Sequence, residues 1–375
     1  MRILHLISSG GMYGAETVLL NLACAQERLG NETIVGVFEN RRAPHTEIVA
    51  EAKSRGLQVE VFSCSGRLDR KPLEAIRNLI RRRHVSLVHG HGYKSDFYGY
   101  LSARHCGVPF VATSHLWTRA TPSVRFYEFL DSLILRQAQK VVGVSDAIVQ
   151  ALIKSGVHPA KVSAIYNGTD LSRYAGARPT LREELGIRDR TLIGTVGRLE
   201  QQKGLEYLIK ASQQALSELP DALVAIVGEG SLRSRLAELL QDLNLESKVL
   251  LLGSRTDMPG VYASLDLFVL ASVDEGMPMA ILEALAAERA VVATRVGAVE
   301  KLIIPGETGL LVEARDVPAL RDAMLLCLRN QSFARELGRR GEVHVRKYFS
   351  AERMAKRYLA VYEQVLEKGK ASHAA

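Results

Sequence analysis

The chain has 375 residues, 47% of them hydrophobic and 24% charged, with a net charge of +8. This length exceeds one ordinary core and the composition is that of a globular protein, so a disordered chain and a single small domain are both excluded. Residues 1–172 carry 21 Lys and Arg against 14 Asp and Glu, while the remainder carries 28 against 27; the basic excess belongs to the first half, and no RNA- or DNA-binding motif accompanies it.

The elements, in chain order, begin with "MRILHLISSGG". Its apolar run is too short for a signal peptide and reads as a first strand. Short β-branched runs then alternate with helical segments: "TIVGVF", "VEVFS", "SLVHGH", "PFVATSH", "KVVGVS" and "VSAIYN" in the first half, and "TLIGTVG", "ALVAIVGEG", "KVLLLG", "DLFVLAS", "AVVAT" and "TGLLVE" in the second. Nearly continuous apolar strands are expected where helices cover both faces of a parallel sheet. Two such series predict an α/β chain with two doubly wound, Rossmann-like domains. The boundaries fall at 1–172 and 173–347, with a further helix over 348–368 and a frayed tail after it. No window reaches 18 apolar residues, so no transmembrane helix is expected. The four cysteines (Cys24, Cys64, Cys106, Cys327) form no CxxC pair, which points to a reducing, cytoplasmic setting.

In open α/β sheets ligands bind beyond the carboxyl ends of the strands, so the chemistry should lie in the turns that follow them. After the first strand, "SSGGMYGAE" carries Gly10, Gly11 and Gly14, which would let backbone N–H groups approach an anion. It is neither a P-loop nor GxGxxG. His115 ends "PFVATSH" and is placed to hydrogen-bond a substrate hydroxyl. His89 and His91 end the strand before it; they raise a metal site, but no carboxylate accompanies them. "GTVGRLEQQKG" brackets a strand–helix turn with Arg198 and Lys203, an anion site if not a solvated basic loop. In "SVDEGMPMAILEALA" Glu275 lies on a turn, Pro278 suits the first turn of a helix, and Glu283 shares a helical face with Ala280 and Ala287. Small neighbours leave that carboxylate room for a ligand; otherwise it is a solvated surface glutamate. No Asp-x-Asp occurs anywhere.

These residues resemble the retaining glycosyltransferases of the GT-B fold, family 4. Glu275 and Glu283 match the E-x7-E motif, "GRLEQQKG" the Arg…Lys diphosphate site, and "GGMYGAETVLLNLA" the first glycine turn. "VHGHGYKSD", "VATSH", "VGVSDAIV", "IYNGTDLSRY" and "VGAVEKLIIPGETGLLV" follow in the expected order. The resemblance implies a nucleotide-sugar donor, UDP- or GDP-linked, whose hexose moves with retained configuration to a glycan or lipid-linked acceptor in cell-surface polysaccharide synthesis. It implies two domains facing a cleft: acceptor on 1–172, donor on 173–347, with the last helix crossing back to the first. Arg198 and Lys203 would bind the diphosphate, Glu283 the ribose, and Glu275 with Gly276, Met277 and Met279 the sugar and its phosphates. Gly11 and Gly14 would approach the donor backbone-first, and His115 would touch the sugar or stabilise developing positive charge near the anomeric carbon. No metal or other cofactor is expected. The motif departs from many members at Pro278, which has no N–H to offer.

Two further surfaces concern the acceptor. "RLDRKPLEAIRNLIRRRH", 67–84, clusters Arg77, Arg81, Arg82 and Arg83 near Leu73, Ile76 and Ile80, either to dock at an anionic membrane or as an ordinary surface helix. Trp117, Phe126 and Tyr127 stand near His115 in sequence and suit either sugar stacking or the core. The alternatives are a GT-B nucleotide-sugar 2-epimerase, which would isomerise donor without acceptor, and a non-catalytic basic nucleic-acid binder.

Overall fold

The computed structural model describes residues 1–9, 11–40, 47–64, 69–115, 131–187 and 189–374. The chain divides into two compact units, Met1–Gly168 with Ala351–Ala375, and Thr169–Ser350.

The first unit carries a seven-stranded sheet in the order β3-β2-β1-β4-β5-β6-β7. Its strands are β1 (Arg2–Ile7), β2 (Glu32–Asn40), β3 (Gln58–Cys64), β4 (Leu87–His91), β5 (Phe110–Ser114), β6 (Lys140–Gly143) and β7 (Val162–Ala164). The second carries six strands in the order β10-β9-β8-β11-β12-β13: β8 (Leu192–Val196), β9 (Leu223–Val227), β10 (Val249–Gly253), β11 (Leu267–Leu270), β12 (Ala290–Thr294) and β13 (Leu310–Val312). Every pairing between these strands is parallel. The two-sheet α/β architecture is the one the alternating apolar runs predicted.

In each sheet the strand order reverses between two central neighbours, β1 and β4 in the first and β8 and β11 in the second. Crossover connections leave in opposite directions there, which opens a crevice above the carboxyl ends. The core explains why the strands read as unbroken apolar runs. In the second unit Ile193, Val224, Val269 and Val292 are at most 0% exposed and pack with Leu208, Leu320 and Met324 of the covering helices. Each such side chain contributes about 1.5–3 kcal/mol of transfer free energy.

The helix Gly14–Arg28 follows β1, and Glu16 reaches back to accept from the Tyr13 N–H at 3.2 Å. That is one half of a capping box, and it satisfies an otherwise orphaned donor. At the other end of the chain, Tyr348 closes the helix Gln331–Tyr348 and the last helix begins only at Ala351, running to Ala374. Phe349 and Ser350 intervene: the Phe349 carbonyl accepts from the Thr169 N–H at 2.9 Å, and Ser350 pairs with Thr169 in an isolated bridge. The last helix then packs against Gly14–Arg28 of the first unit.

Candidate active site

In the second unit three turns at the carboxyl edge are laced together through their backbones. After β8 the chain runs through Gly197 and Arg198 into a 3₁₀ turn, Gln201–Lys203, and then the helix Leu205–Glu218. The Gln202 carbonyl accepts from the Val273 N–H at 2.8 Å, which ties this turn to the one after β11. The Gly276 carbonyl accepts from the Ala298 N–H at 3.0 Å, which ties the β11 turn to the one after β12. Gly297 makes the second tie possible. Its φ is +54°, and an added Cβ would overlap the Glu275 carbonyl oxygen.

This lacing brings Lys203 and Glu275 together. Lys203 Nζ donates to Glu275 Oε1 at 2.6 Å, and Ser272 Oγ donates to the same oxygen at 2.7 Å. The side chains are 16% and 7% exposed. The two residues read from sequence as separate phosphate and sugar contacts are therefore ion-paired in the structure. An ammonium has three N–H donors and a carboxylate two oxygens. Pairing through Oε1 leaves two donors on Lys203, and leaves Glu275 Oε2 without a hydrogen-bond partner among the described residues. Arg198 sits in the same turn, partly buried.

Glu283 lies in the helix Met279–Ala286 and is 7% exposed, so it is not a solvated surface glutamate. Its Oε2 accepts from the Tyr262 hydroxyl at 2.8 Å. Burial, with the Glu283 charge beside it, raises the Tyr262 hydroxyl well above its ordinary pKa, so it stays a donor. Tyr262 comes from the helix Met258–Ser264, and the sequence reading missed it: its partner is 21 residues away and no motif links them. Pro278 is the N-cap in an extended conformation (φ −72°, ψ 117°) rather than a residue of the first helical turn. The first helical N–H is therefore that of Met279, and it lies among the four that a helix leaves unbonded at its start. Met277 and Met279 are both 6% exposed.

The first unit builds a different site at its own carboxyl edge. Gly11 is buried with φ +133°, and its N–H and carbonyl both bond Ser9 Oγ, at 3.1 and 2.9 Å. Gly14 opens the following helix. Gly10 lies outside the described residues, as do Trp117, Phe126 and Tyr127. His115 is joined to His91, His91 Nδ1 lying 3.2 Å from His115 Nε2, and His91 Nε2 lies 3.2 Å from His5 Nδ1. Burial holds the His5 and His115 rings down at about 4 and pushes His89 and His91 well below the ordinary histidine value. His5 escaped the sequence reading because it sits in mid-strand; only its register opposite His89 brings it to the cluster.

His5, His89 and His91 place one ring nitrogen each within 4.8 Å of one another. All six of their ring nitrogens nevertheless have a hydrogen-bond partner: Gln26, Thr113, Tyr362, His115 or one another. A metal ion would have to displace those bonds with no carboxylate to offset its charge, so this cluster does not fit a metal.

The basic helix Arg70–Arg82 is capped by Asp69, which accepts from the Lys71 N–H at 3.0 Å. Ile76 and Ile80 are 0% and 3% exposed. Its apolar side is therefore spent on its own unit, and Arg81 and Arg82 remain exposed. Among the described residues no helix is long and apolar enough to cross a membrane.

Two doubly wound parallel units, with charged turns at the second unit's switch point, are the architecture of the GT-B fold. A crystal structure of an Anabaena protein in complex with UDP-glucose matches this architecture with a TM-score of 0.83 at 22% identity, over 97% of this chain and 100% of that one. The family profile described as "Glycosyltransferase Family 4" matches residues 12–173, and that of "Glycosyl transferases group 1" matches 190–330. The Escherichia coli UDP-Gal:alpha-D-GlcNAc-diphosphoundecaprenol alpha-1,3-galactosyltransferase is 32% identical over 270 residues, 68% of this chain and 70% of that protein. The Campylobacter jejuni N-acetylgalactosamine-N,N'-diacetylbacillosaminyl-diphospho-undecaprenol 4-alpha-N-acetylgalactosaminyltransferase is 34% identical over 205 residues, 52% of this chain and 54% of that one. The chain belongs to the family 4 glycosyltransferases.

Proposed function

We propose that the protein is a retaining, metal-independent glycosyltransferase that moves a hexose-type sugar from a UDP- or GDP-sugar to a glycan or lipid-linked acceptor in cell-surface polysaccharide synthesis. The observation that carries this reading is the Lys203–Glu275 pair, held at 2.6 Å by the laced turns. It offers fixed cationic donors where a diphosphate would leave and a carboxylate oxygen beside them for a sugar hydroxyl. The bond from the anomeric carbon to the diphosphate oxygen breaks, the bond to the acceptor oxygen forms on the same face, and the acceptor proton passes to the departing diphosphate. Negative charge grows on the leaving group, and preorganised cations lower that barrier. Lys203 and Arg198 supply them, with the amides of Met279 and of the helix starting at Leu205 adding their dipoles. Glu283, positioned by Tyr262, accepts from the ribose hydroxyls. Gly276 and Met277 shape the sugar's surroundings, and Gly11, Gly14 and His115 serve the donor from the first unit, which also takes the acceptor.

The acceptor class rests on two relatives whose names specify diphosphoundecaprenol-linked sugars. Exposed Arg81 and Arg82 suit peripheral contact with an anionic membrane at the site of such a lipid. Thermal-shift screening against UDP, GDP and their sugars tests the donor, because a ligand that binds the native state stabilises it by mass action. NMR of the product's anomeric configuration, with and without a chelator, tests the rest. An inverted product or chelator-abolished turnover would overturn those two parts, and no shift with any nucleotide would overturn the donor assignment.

A further inference from the structure

The buried polar face of the first unit contains a hydrogen-bonded chain with a direction. Gln26, on the helix Gly14–Arg28, is 0% exposed. Its Oε1 lies 2.8 Å from His5 Nε2, and its Nε2 donates to the Tyr362 hydroxyl at 3.4 Å. An amide oxygen only accepts, and a neutral imidazole carries one N–H. With the amide in this orientation, His5 holds its proton on Nε2 and accepts at Nδ1. His91 then donates from Nε2 and accepts at Nδ1, and His115 donates from Nε2. The same amide begins a second branch. Tyr362, having accepted from Gln26, donates to His89 Nδ1 at 2.7 Å; His89 Nε2 donates to Thr113 Oγ1 at 2.8 Å, and Thr113 meets the Tyr358 hydroxyl at 3.0 Å. Both tyrosines come from the last helix, Ala351–Ala374.

We propose that Gln26 is a positioning residue whose side-chain amide fixes the tautomer of all four histidines, so that His115 presents an unprotonated Nδ1 as a hydrogen-bond acceptor. Rotating the amide by half a turn would reverse both branches together, so no single ring can reverse alone while its neighbours hold. Burial keeps the rings neutral, and a protonated ring would set two N–H groups against each other. With Nε2 spent on His91, His115 serves substrate through the Nδ1 lone pair: it receives a hydroxyl and leaves electron density near developing positive charge. That last consequence rests on the transferase reading; the tautomer chain does not.

The test is nitrogen-15 NMR of the full-length protein labelled in its histidine rings, with sugar transfer measured in parallel. In the wild type, His5, His89, His91 and His115 should all carry the proton on Nε2 at neutral pH. A proton on Nδ1 of any of the four would overturn the proposal. Gln26→Leu should leave His115 a mixture of tautomers and lower kcat about tenfold, the cost of one hydrogen bond, with donor KM changed less than about twofold. His115 remaining wholly in the Nε2–H form in that variant would remove Gln26 as the determinant. Tyr362→Phe cuts only the second branch, so His5, His91 and His115 should keep their tautomers in it; a changed His115 tautomer there would also overturn the chain. Should Gln26→Leu not fold, the wild-type and Tyr362→Phe spectra decide. Expected tautomers without sugar transfer would sink the transferase reading and leave the chain standing.

Discussion

The two switch points solve one topological problem with opposite chemistry. Between β1 and β4 the carboxyl edge is lined by imidazoles held neutral by burial and bonded to an amide and hydroxyls. Between β8 and β11 it is lined by an ammonium and a carboxylate in direct contact. A neutral network confers direction without a field, because each ring must donate at one nitrogen and accept at the other. An ion pair confers a field whose hydrogen bonds are roughly twice as strong as neutral ones.

The largest effect is expected at Lys203. Lys203→Ala should lower kcat by about 10²–10³-fold and should also destabilise the second unit by about 3–5 kcal/mol, since Glu275 loses its partner while buried. Lys203→Met combined with Glu275→Leu should recover most of the stability and none of the turnover, because an apolar pair of similar volume replaces a buried ion pair at little cost. Kinetics and chemical denaturation of both variants check this. Unchanged turnover in the single variant would remove Lys203 from the reaction.

Acid should separate the units next. His5 holds its ring at about 4 against an ordinary 6.5. Between those values the unfolded chain takes up a proton that the folded ring refuses, so stability is present above pH 6.5 and is lost as pH falls toward 4. The difference amounts to about 3 kcal/mol for this ring, and His89 and His91 act in the same direction. The second unit's His344 is also lowered, but it is only partly buried. Hydrogen exchange followed from pH 7 to 4 should show the first unit opening first. If the second opened first, the neutral network would not be the acid-sensitive region.

Much of this was legible in the sequence, and the gaps have physical causes. Strands buried on both faces read as apolar runs, so both sheets could be predicted from pattern alone. Glu275 and Glu283 stood out as carboxylates flanking an otherwise apolar run, and Lys203 because with Arg198 it brackets a turn at a helix N-terminus. Their pairing did not, because Lys203 and Glu275 are 72 residues apart and only the backbone ties between turns bring them together. Tyr262, His5 and Gln26 were invisible for the same reason: each looks like an ordinary core or helix residue until register and packing assign it a partner. Pro278 was placed one position too far into its helix. A proline ring fits both the N-cap's extended φ and the first helical turn, so spacing could not separate them.

A smaller break lies in the backbone. Gly297→Ala should cost about 1–3 kcal/mol, because φ +54° disfavours a side chain and the new Cβ would press on the Glu275 carbonyl. The damage should reach function, since the same contact orients Glu275. Thermal denaturation together with donor KM measures both; a variant with wild-type stability would show that the β12 turn yields freely.

The smallest effects are expected from deleting one tyrosine hydroxyl in each unit. Tyr262→Phe removes the hydroxyl that donates to the buried Glu283 carboxylate at 2.8 Å. Tyr362→Phe removes the hydroxyl that donates to the buried His89 ring at 2.7 Å. Both tyrosines are 0% exposed, so the lost area and the space left behind are alike. The strong bonds differ in their acceptor, charged for Tyr262 and neutral for Tyr362, and Tyr362 loses in addition the long 3.4 Å bond that it accepts from Gln26. A hydrogen bond to a charged group is worth about 1.5–3 kcal/mol and one between neutral groups about 0.5–1.5. Tyr262→Phe should therefore cost roughly 1 kcal/mol more than Tyr362→Phe and weaken donor binding, as Glu283 loses the bond that positions it. Tyr362→Phe should leave donor affinity unchanged. Equal losses in denaturation would mean that the carboxylate recovers a donor from elsewhere, and that the second unit's switch point is less committed to charge than its Lys203–Glu275 pair implies.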